Sequence, residues 1–518
     1  MKPSRPLTPL RVTRLLGRLL PLAASLALFA ALAGPVVATA TPPGESESAE
    51  RPNVLFISID DLRPEIGSYG VGRASSPHLD AFAETALVFT RAYCQQTLCN
   101  PSRTSYLTGA RPATTGIWEQ KGFFRDTVPN IVTLPQHFKA HGFTTSSIGK
   151  VFHGNRLDAK SWSEPEFLPD RTRIYALEEN RAKNRPRTKA TATESADVPD
   201  NGYRDGLAAD HAIKTLARLG RAEDSPFFLA LGFFKPHLPF AAPKRYWDLF
   251  PEDEIELPKD AKAPLGAVLY SIHESHEVRQ YSDAPRTGPF SEDFSRRLLR
   301  GYLASTAYVD AQVGRVLSAL DELGLADNTI VVIFGDHGFY LGDYGMWGKS
   351  GTFERAARVP LMVRVPEAFR PGEAQGDEAP GDPGASERPG STGALVELVD
   401  LYPTLCDLAG LPQPGHLEGT SFAPLLEDPT LPWKKAAFTY QPMGRIEARS
   451  IRTKRWRYTS WRTTGKSPKT IARELYDHTT DPGETANLAA KPEQAQRAAR
   501  LESILSAGWR AAGPPVDR

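Results

Sequence analysis

The 518-residue chain is 40% hydrophobic and 24% charged, with 62 Lys and Arg against 61 Asp and Glu and a formal charge of +1. That composition excludes global disorder and allows one large α/β domain with an appendage, or roughly two to four smaller domains. The charge balance argues against a nucleic-acid binder relying on bulk basicity, and three cysteines build neither a disulfide scaffold nor a four-cysteine zinc cage.

Residues 1–40 carry Lys2, Arg5, Arg11, Arg14 and Arg18 and no acid; an apolar stretch from Leu19 to Ala33 closes on Val37-Ala38-Thr39-Ala40. This is the three-part pattern of a secretory signal peptide. A membrane anchor is the other reading, but the run is short for a bilayer and holds Pro21. The chain is therefore expected to be exported, to the periplasm or beyond the cell, with no stable membrane insertion after cleavage. Residues 53–59 then form an apolar, β-branched run, the pattern of a buried parallel strand, stopping at Asp60-Asp61. Ser76-Pro77 opens a helix predicted over residues 77–89, with Leu79, Phe82, Ala83 and Ala86 on one face. Pro101 stands like a first-turn proline and Gly109 like a helix stop, which puts Cys99 at a helix start where the dipole lowers a thiol pKa. Further strands are predicted at 143–148, 226–233, 328–334 and 359–365, and helices at 205–219 and 294–323. Strands alternating with helices specify a wound, mostly parallel α/β sheet. Residues 178–201 and 366–393 read as surface insertions. Strand-like pieces at 450–453, 456–459 and 474–477 and a helix from about 491 suggest a small C-terminal antiparallel sheet with a closing helix.

Asp60-Asp61 and Asp336-His337 both lie just past strand ends, where open α/β sheets bind ligands. Adjacent carboxylates are costly unless a cation neutralises them, and oxygen donors suit Ca²⁺ or Mg²⁺ better than zinc. On spacing alone the clusters read equally as solvated turn acids or caps. Cys94 and Cys406 read as buried structural thiols.

Cys99-x-Pro101-Ser102-Arg103 followed by Leu107-Thr108-Gly109 resembles the maturation motif of the type I sulfatases. Asp60-Asp61-Leu62-Arg63-Pro64, Gly149-Lys150-Val151-Phe152-His153, Lys235-Pro236-His237, Gly335-Asp336-His337-Gly338 and Trp347-Gly348-Lys349 follow in the family's order and look most like its iduronate 2-sulfatase branch. The resemblance spans roughly 51–488. It implies an alkaline phosphatase-like fold, with a signal peptide at 1–40, a catalytic domain at 51–430 and a C-terminal α+β subdomain at 431–518. It implies that a maturation enzyme converts Cys99 to Cα-formylglycine, whose hydrate is the nucleophile. One Ca²⁺ would be held by Asp60, Asp61, Asp336 and His337 with an oxygen of modified residue 99. Arg103 would hold the diol. Lys150, Lys235 and Lys349 would contact the sulfate or sugar. His237 would be the general acid, and His153 the base that releases sulfate. The expected activity is hydrolysis of sulfate esters of a saccharide, with 2-O-sulfated uronic acid as the implied class and no nucleic-acid partner. Phosphodiester or phosphonate hydrolysis, and an inactive glycan-binding relative, are the competing readings.

Overall fold

A strand with no polar face must be covered on both sides, and residues 53–59 are such a strand: each is buried. In the computed structural model, which describes residues 51–154, 156–185, 188–222, 225–370 and 390–515, it lies near the middle of a seven-stranded sheet. The expected signal peptide falls outside the described residues. The strands are β1 (Asn53–Ile59), β2 (Leu87–Phe89), β3 (Thr144–Gly149), β4 (Phe227–Phe233), β5 (Thr329–Gly335), β6 (Leu361–Arg364) and β7 (Ser391–Thr392). Their spatial order is β7-β2-β6-β5-β1-β4-β3. β1 runs parallel to both β4 and β5, with Phe56 opposite Ala230 on one side and Val332 on the other. β6 is antiparallel to β5 and β2, so the sheet is mixed but mostly parallel.

Alternate residues feed two apolar layers. Leu55, Ile57, Leu229 and Ile333 pack beneath α1 (Pro77–Ala83), α3 (Arg204–Leu219) and α4 (Glu292–Glu322), through Leu79, Leu216, Val309 and Val313. Phe56, Phe228, Val332 and Phe334 pack on the other face, against Tyr106 and Leu107 of α2 (Cys99–Thr108). Each such side chain gains about 1.5–3 kcal/mol on full burial. The sheet is consequently a rigid platform, and the loops leaving its carboxyl edge inherit that rigidity.

Most predicted elements occur within a residue or two. The predicted helix over 77–89 is an exception: α1 stops at Ala83, and Leu87–Phe89 is β2. Leu87, Val88 and Phe89, of which Val88 and Phe89 are good strand formers, gain a ladder with β6 and β7 that a helix could not offer. The predicted strand at 359–365 is two pieces, Arg358–Val359 and β6, divided at Pro360. Residues 178–201 are not a plain surface insertion. They contain a helix (Glu178–Lys183) and a strand (Thr193–Ala196) paired with Phe240–Pro243, and Ala190, Ala192 and Ala196 are buried. Of the second insertion, residues 371–389 lie outside the described residues, and its end supplies β7.

The C-terminal part is a four-stranded antiparallel sheet, β8 (Ala437–Met443), β9 (Ile446–Arg452), β10 (Trp456–Thr463) and β11 (Thr470–Asp477), closed by α5 (Ala495–Ala507). Leu501 and Leu505 of α5 cover Phe438, Ile451, Tyr458 and Leu475. β8 also lies along the segment ahead of Cys99. Tyr440 N–H donates to the Gln95 carbonyl at 2.9 Å, and Thr97 Oγ1 to Gln441 Oε1 at 3.1 Å. Among the described residues no helix is long and apolar enough to cross a membrane.

Candidate active site

The sheet's carboxyl edge gathers the chemistry. β1 delivers Asp60 and Asp61, β5 delivers Asp336 and His337, β3 delivers Lys150 and β4 leads to Lys235 and His237. β3 and β4 approach so closely at this end that a Cβ on Gly232 would collide with the Lys150 carbonyl, and one on Gly149 with the Gly232 carbonyl. Asp61 sits at φ 63, a left-handed conformation costly for a non-glycine residue. Its N–H donates to Asp336 Oδ1 at 3.1 Å, and its carbonyl accepts from the Tyr302 hydroxyl at 2.9 Å. These bonds hold the turn that aims its carboxylate inward.

Cys99 is the first residue of α2 and is fully buried. Its Sγ lies 3.2 Å from His337 Nε2, 3.5 Å from Lys349 Nζ and 3.8 Å from Lys150 Nζ, with Gln120 Nε2 at 3.6 Å. Burial alone would push the thiol up. Lys150, Lys349 and His337, with a hydrogen bond from His153, pull it well below the ordinary thiol range instead. One turn on, Arg103 pairs with Asp336 Oδ2 at 2.9 Å and Asp60 Oδ1 at 3.3 Å. Lys150 pairs with Asp60, and Lys349 with Asp61 at 2.8 Å. Asp60, Asp61, Cys99 and His337 place one ligand atom each within 4.8 Å of one another. Asp336 borders this group, with Oδ1 3.7 Å from His337 Nε2. Burial raises Asp336 to about 7 and Asp61 above its usual range. Burial lowers His337, but Asp336, Cys99 and Asp61 outweigh it and hold it near 10. Burial and Cys99 push Asp60 up, but Lys150, His237 and Arg103 outweigh them and hold it well below the usual carboxylate range. The three crowded, desolvated carboxylates are a donor set that fits a hard divalent ion.

The two histidines differ. Burial lowers His153, and its buried Nδ1 has no hydrogen-bond partner. Burial and Lys349 also lower His237, but Asp61 and Asp60 outweigh them and hold it at about 9. The constellation thus has a neutral imidazole and a protonated one, the split that divides base from acid. Lys235 lines a cavity together with Asp60, Lys150, His153 and His237, but its ammonium turns onto the His237 carbonyl at 2.8 Å and the Pro239 carbonyl. Burial lowers it to about 8.

All eleven residues singled out from the sequence converge here. Two were missed. Glu277 contacts His237 Nε2 at 3.2 Å and Lys349 Nζ at 3.4 Å. Gln120 reaches Cys99. Neither follows a strand or stands in a motif, so nothing local in the sequence marks them.

Comparison with known proteins agrees with this geometry. A sulfatase family model matches residues 52–411, and the model for the C-terminal region of N-sulphoglucosamine sulphohydrolase matches 382–509. Iduronate 2-sulfatase of Mus musculus is 39% identical, over 71% of each chain. That of Homo sapiens is 35% identical, over 84% of this chain and 90% of its own. A phosphonate monoester hydrolase of Silicibacter pomeroyi shares the fold, with a TM-score of 0.69 at 20% identity, over 90% of this chain and 96% of that one. With the family model spanning most of the chain and its motifs meeting in one buried centre, the protein belongs to the formylglycine-dependent sulfatases, near the iduronate 2-sulfatase branch, and is a sulfuric ester hydrolase.

Proposed function

We propose that this is an exported sulfatase that removes sulfate from a sulfated saccharide, 2-O-sulfated uronic acid being the favoured class. Residues 51–430 would be its catalytic part and 431–518 its C-terminal subdomain. The observation that carries the reading is the convergence of Asp60, Asp61 and His337 on Cys99 at the start of α2. The iduronate 2-sulfatase relatives support the substrate class.

The roles follow from charge and geometry. A sulfate ester is anionic and repels nucleophiles. Lys150 and Lys349, both within 3.8 Å of Cys99 Sγ, would hold the ester, and Arg103 would orient the group at residue 99. Conversion of Cys99 to formylglycine by a maturation enzyme would supply a hydrated aldehyde as nucleophile. Asp60, Asp61, Asp336 and His337 would hold calcium, which when bound adds positive charge against the sulfate oxygens. His237, protonated near neutral pH, would give its proton to the departing sugar oxygen, and neutral His153 would take the proton from residue 99 as sulfate leaves. Phosphonate or phosphodiester hydrolysis is the second reading, on the shared fold of the phosphonate hydrolase. An inactive glycan binder is disfavoured, since binding sugar requires no neutral and protonated histidine pair.

Two measurements test this. Peptide mass spectrometry of active enzyme is expected to show the loss of thiol mass at residue 99, and full activity with unmodified Cys99 would defeat the mechanism. Sulfate esters are expected to outpace matching phosphate esters; the reverse order for every sulfate tried would transfer the protein to the phosphonate hydrolase reading.

A further inference from the structure

One cavity of about 200 Å³ opens onto the reactive centre. Lys150, His153 and His237 line it together with Arg171, Arg173 and Arg204. The three arginines come from chain that the sulfatase motifs do not touch: a short helical turn (Arg171–Ile174) and the first residue of α3.

Their partners, or lack of them, set them apart. Among the described residues the fully buried arginines elsewhere are ion-paired, Arg63 with Glu65 and Asp343, Arg111 with Glu397, Arg457 with Glu354 and Glu484; the part-buried Arg364, over Phe82 and remote from the cavity, is an unpaired one. Among the described residues no carboxylate pairs with Arg171, Arg173 or Arg204. The nearest acids in sequence are occupied. Asp205 accepts the N–H groups of Phe234 and Lys235 at 2.7 and 3.0 Å, and Asp170 caps Thr172 through its N–H at 2.9 Å and its hydroxyl at 2.8 Å. The Arg204 guanidinium carbon sits over the Phe234 ring, 3.5 Å from its centroid, and its buried Nε has no hydrogen-bond partner. Burial, only partly offset by Asp205, lowers it to about 10. A desolvated guanidinium without a partner, beside two more positive charges, is unfavourable until an anion arrives. Contact with Phe234 already restrains the side chain, so less of its freedom is lost on binding. A planar fork of donors recognises a carboxylate or sulfate in a bidentate way.

We infer that Arg204, with Arg171 and Arg173, forms a second anion site, which takes a charged substituent of the saccharide other than the sulfate being cut. This rests on the sulfated-saccharide reading above and deepens it: the enzyme reads two negative charges on its substrate, one at the reacting centre and one at the arginine wall. A uronate carboxylate and a second sulfate share the chemistry required.

The test uses the matured full-length protein and the variants Arg204→Gln, Arg204→Lys and the double variant R171Q/R173Q. kcat/KM is measured on three disaccharides carrying the same cleavable sulfate: one with a uronate carboxylate, one carboxyl-reduced, and one carboxyl-reduced with a second sulfate. Nitrophenyl sulfate, which has no second charge, is the reference. Arg204→Gln is expected to lower the ratio of charged disaccharide to nitrophenyl sulfate about 10- to 100-fold, with Arg204→Lys between it and wild type. The carboxyl-reduced sugar's ratio is expected to stay within about threefold. Which charged disaccharide suffers more identifies the substituent. Equal falls for charged and neutral sugars, or no fall in either Arg204→Gln or R171Q/R173Q, would overturn the site. Calorimetric binding of the unsulfated uronate disaccharide needs no turnover. Weaker binding by Arg204→Gln supports the site even if no sulfate is cleaved, and equal binding by wild type and variant refutes it even if sulfates are cleaved well.

Discussion

Glu277 is joined to both His237 and Lys349, and Glu277→Gln tests what that carboxylate does at nearly constant size. His237 Nδ1 lies 2.6 Å from the Leu238 carbonyl, and Nε2 lies 3.2 Å from Glu277 Oε1. Both ring nitrogens therefore face acceptors, an arrangement that only the imidazolium satisfies fully. A hydrogen bond between charged groups contributes about 1.5–3 kcal/mol, and one pKa unit corresponds to about 1.36 kcal/mol. Losing the charge should lower His237 by about one to two units from its value of about 9. Lys349 keeps its 2.8 Å pair with Asp61 and stays charged. As the proposed acid, His237 works only when protonated, so the alkaline limb of kcat/KM should move towards neutral pH by the same one to two units. The fall at pH 8.5 should be about 3-fold for a one-unit shift and about 25-fold for a two-unit shift, with little change near pH 6. The assay is the full pH profile on a saccharide sulfate, with nitrophenyl sulfate in parallel because its leaving group departs almost unaided. An alkaline limb that does not move would refute the reasoning. An equal shift on both substrates would assign the limb to Lys349 rather than to His237.

Asp61→Asn removes one of the convergent carboxylates and is expected to lower calcium content and abolish turnover while the thermal midpoint stays close to wild type; stoichiometric zinc by elemental analysis, or activity untouched by exhaustive chelation, would count against it. His273 gives a pH dependence. Burial depresses its imidazole from 6.5 to about 4. The native state thus binds fewer protons than the unfolded chain between those values. Its contribution is complete above about pH 6.5 and is lost as pH falls through 4, on the order of 3 kcal/mol in all. His273→Phe should flatten that part of the stability profile in urea melts at pH 7 and pH 4.5, and an unchanged slope would exclude His273 as its source. Gly232→Ala should drive the ends of β3 and β4 apart, costing about 1–3 kcal/mol and displacing Lys150. A differential scanning trace identical to wild type, with full turnover, would contradict the close approach described.

The parallel core was legible because burial on both faces leaves one pattern, an unbroken apolar run, and β1, β4 and β5 each show it within a residue. The candidate site was legible in part for the same reason, since Asp60, Asp61, Asp336 and His337 sit directly past β1 and β5 and Cys99 starts α2, whereas Lys150, His153 and Lys349 follow no apolar run and were marked by the resemblance alone. Legibility failed where an element depends on a distant partner. Leu87–Phe89 continues a helical pattern on paper, and only the ladder to β6 decides against it. Residues 178–201 look polar, yet Glu194 is buried and accepts from Asn180 at 2.7 Å and Tyr203 at 2.9 Å. Glu277 and Arg204 carry no local mark, because their meaning lies in what they face across the cavity.

Cys99 has no exposed surface, and the segment leading to it is bonded to β8, Thr97 and Gln441 being 344 positions apart in the chain. Folding therefore sets a deadline for the modification proposed at residue 99. During synthesis the cysteine leaves the ribosome long before β8 exists, and for that interval the thiol is open to a converting enzyme. Once the chain has folded around it, with Thr97 tied to β8, an unconverted thiol is buried. With conversion as proposed, the active fraction of a preparation would be the outcome of a race between conversion and folding. Slower elongation after residue 109 should raise that fraction without changing a single contact in the finished enzyme.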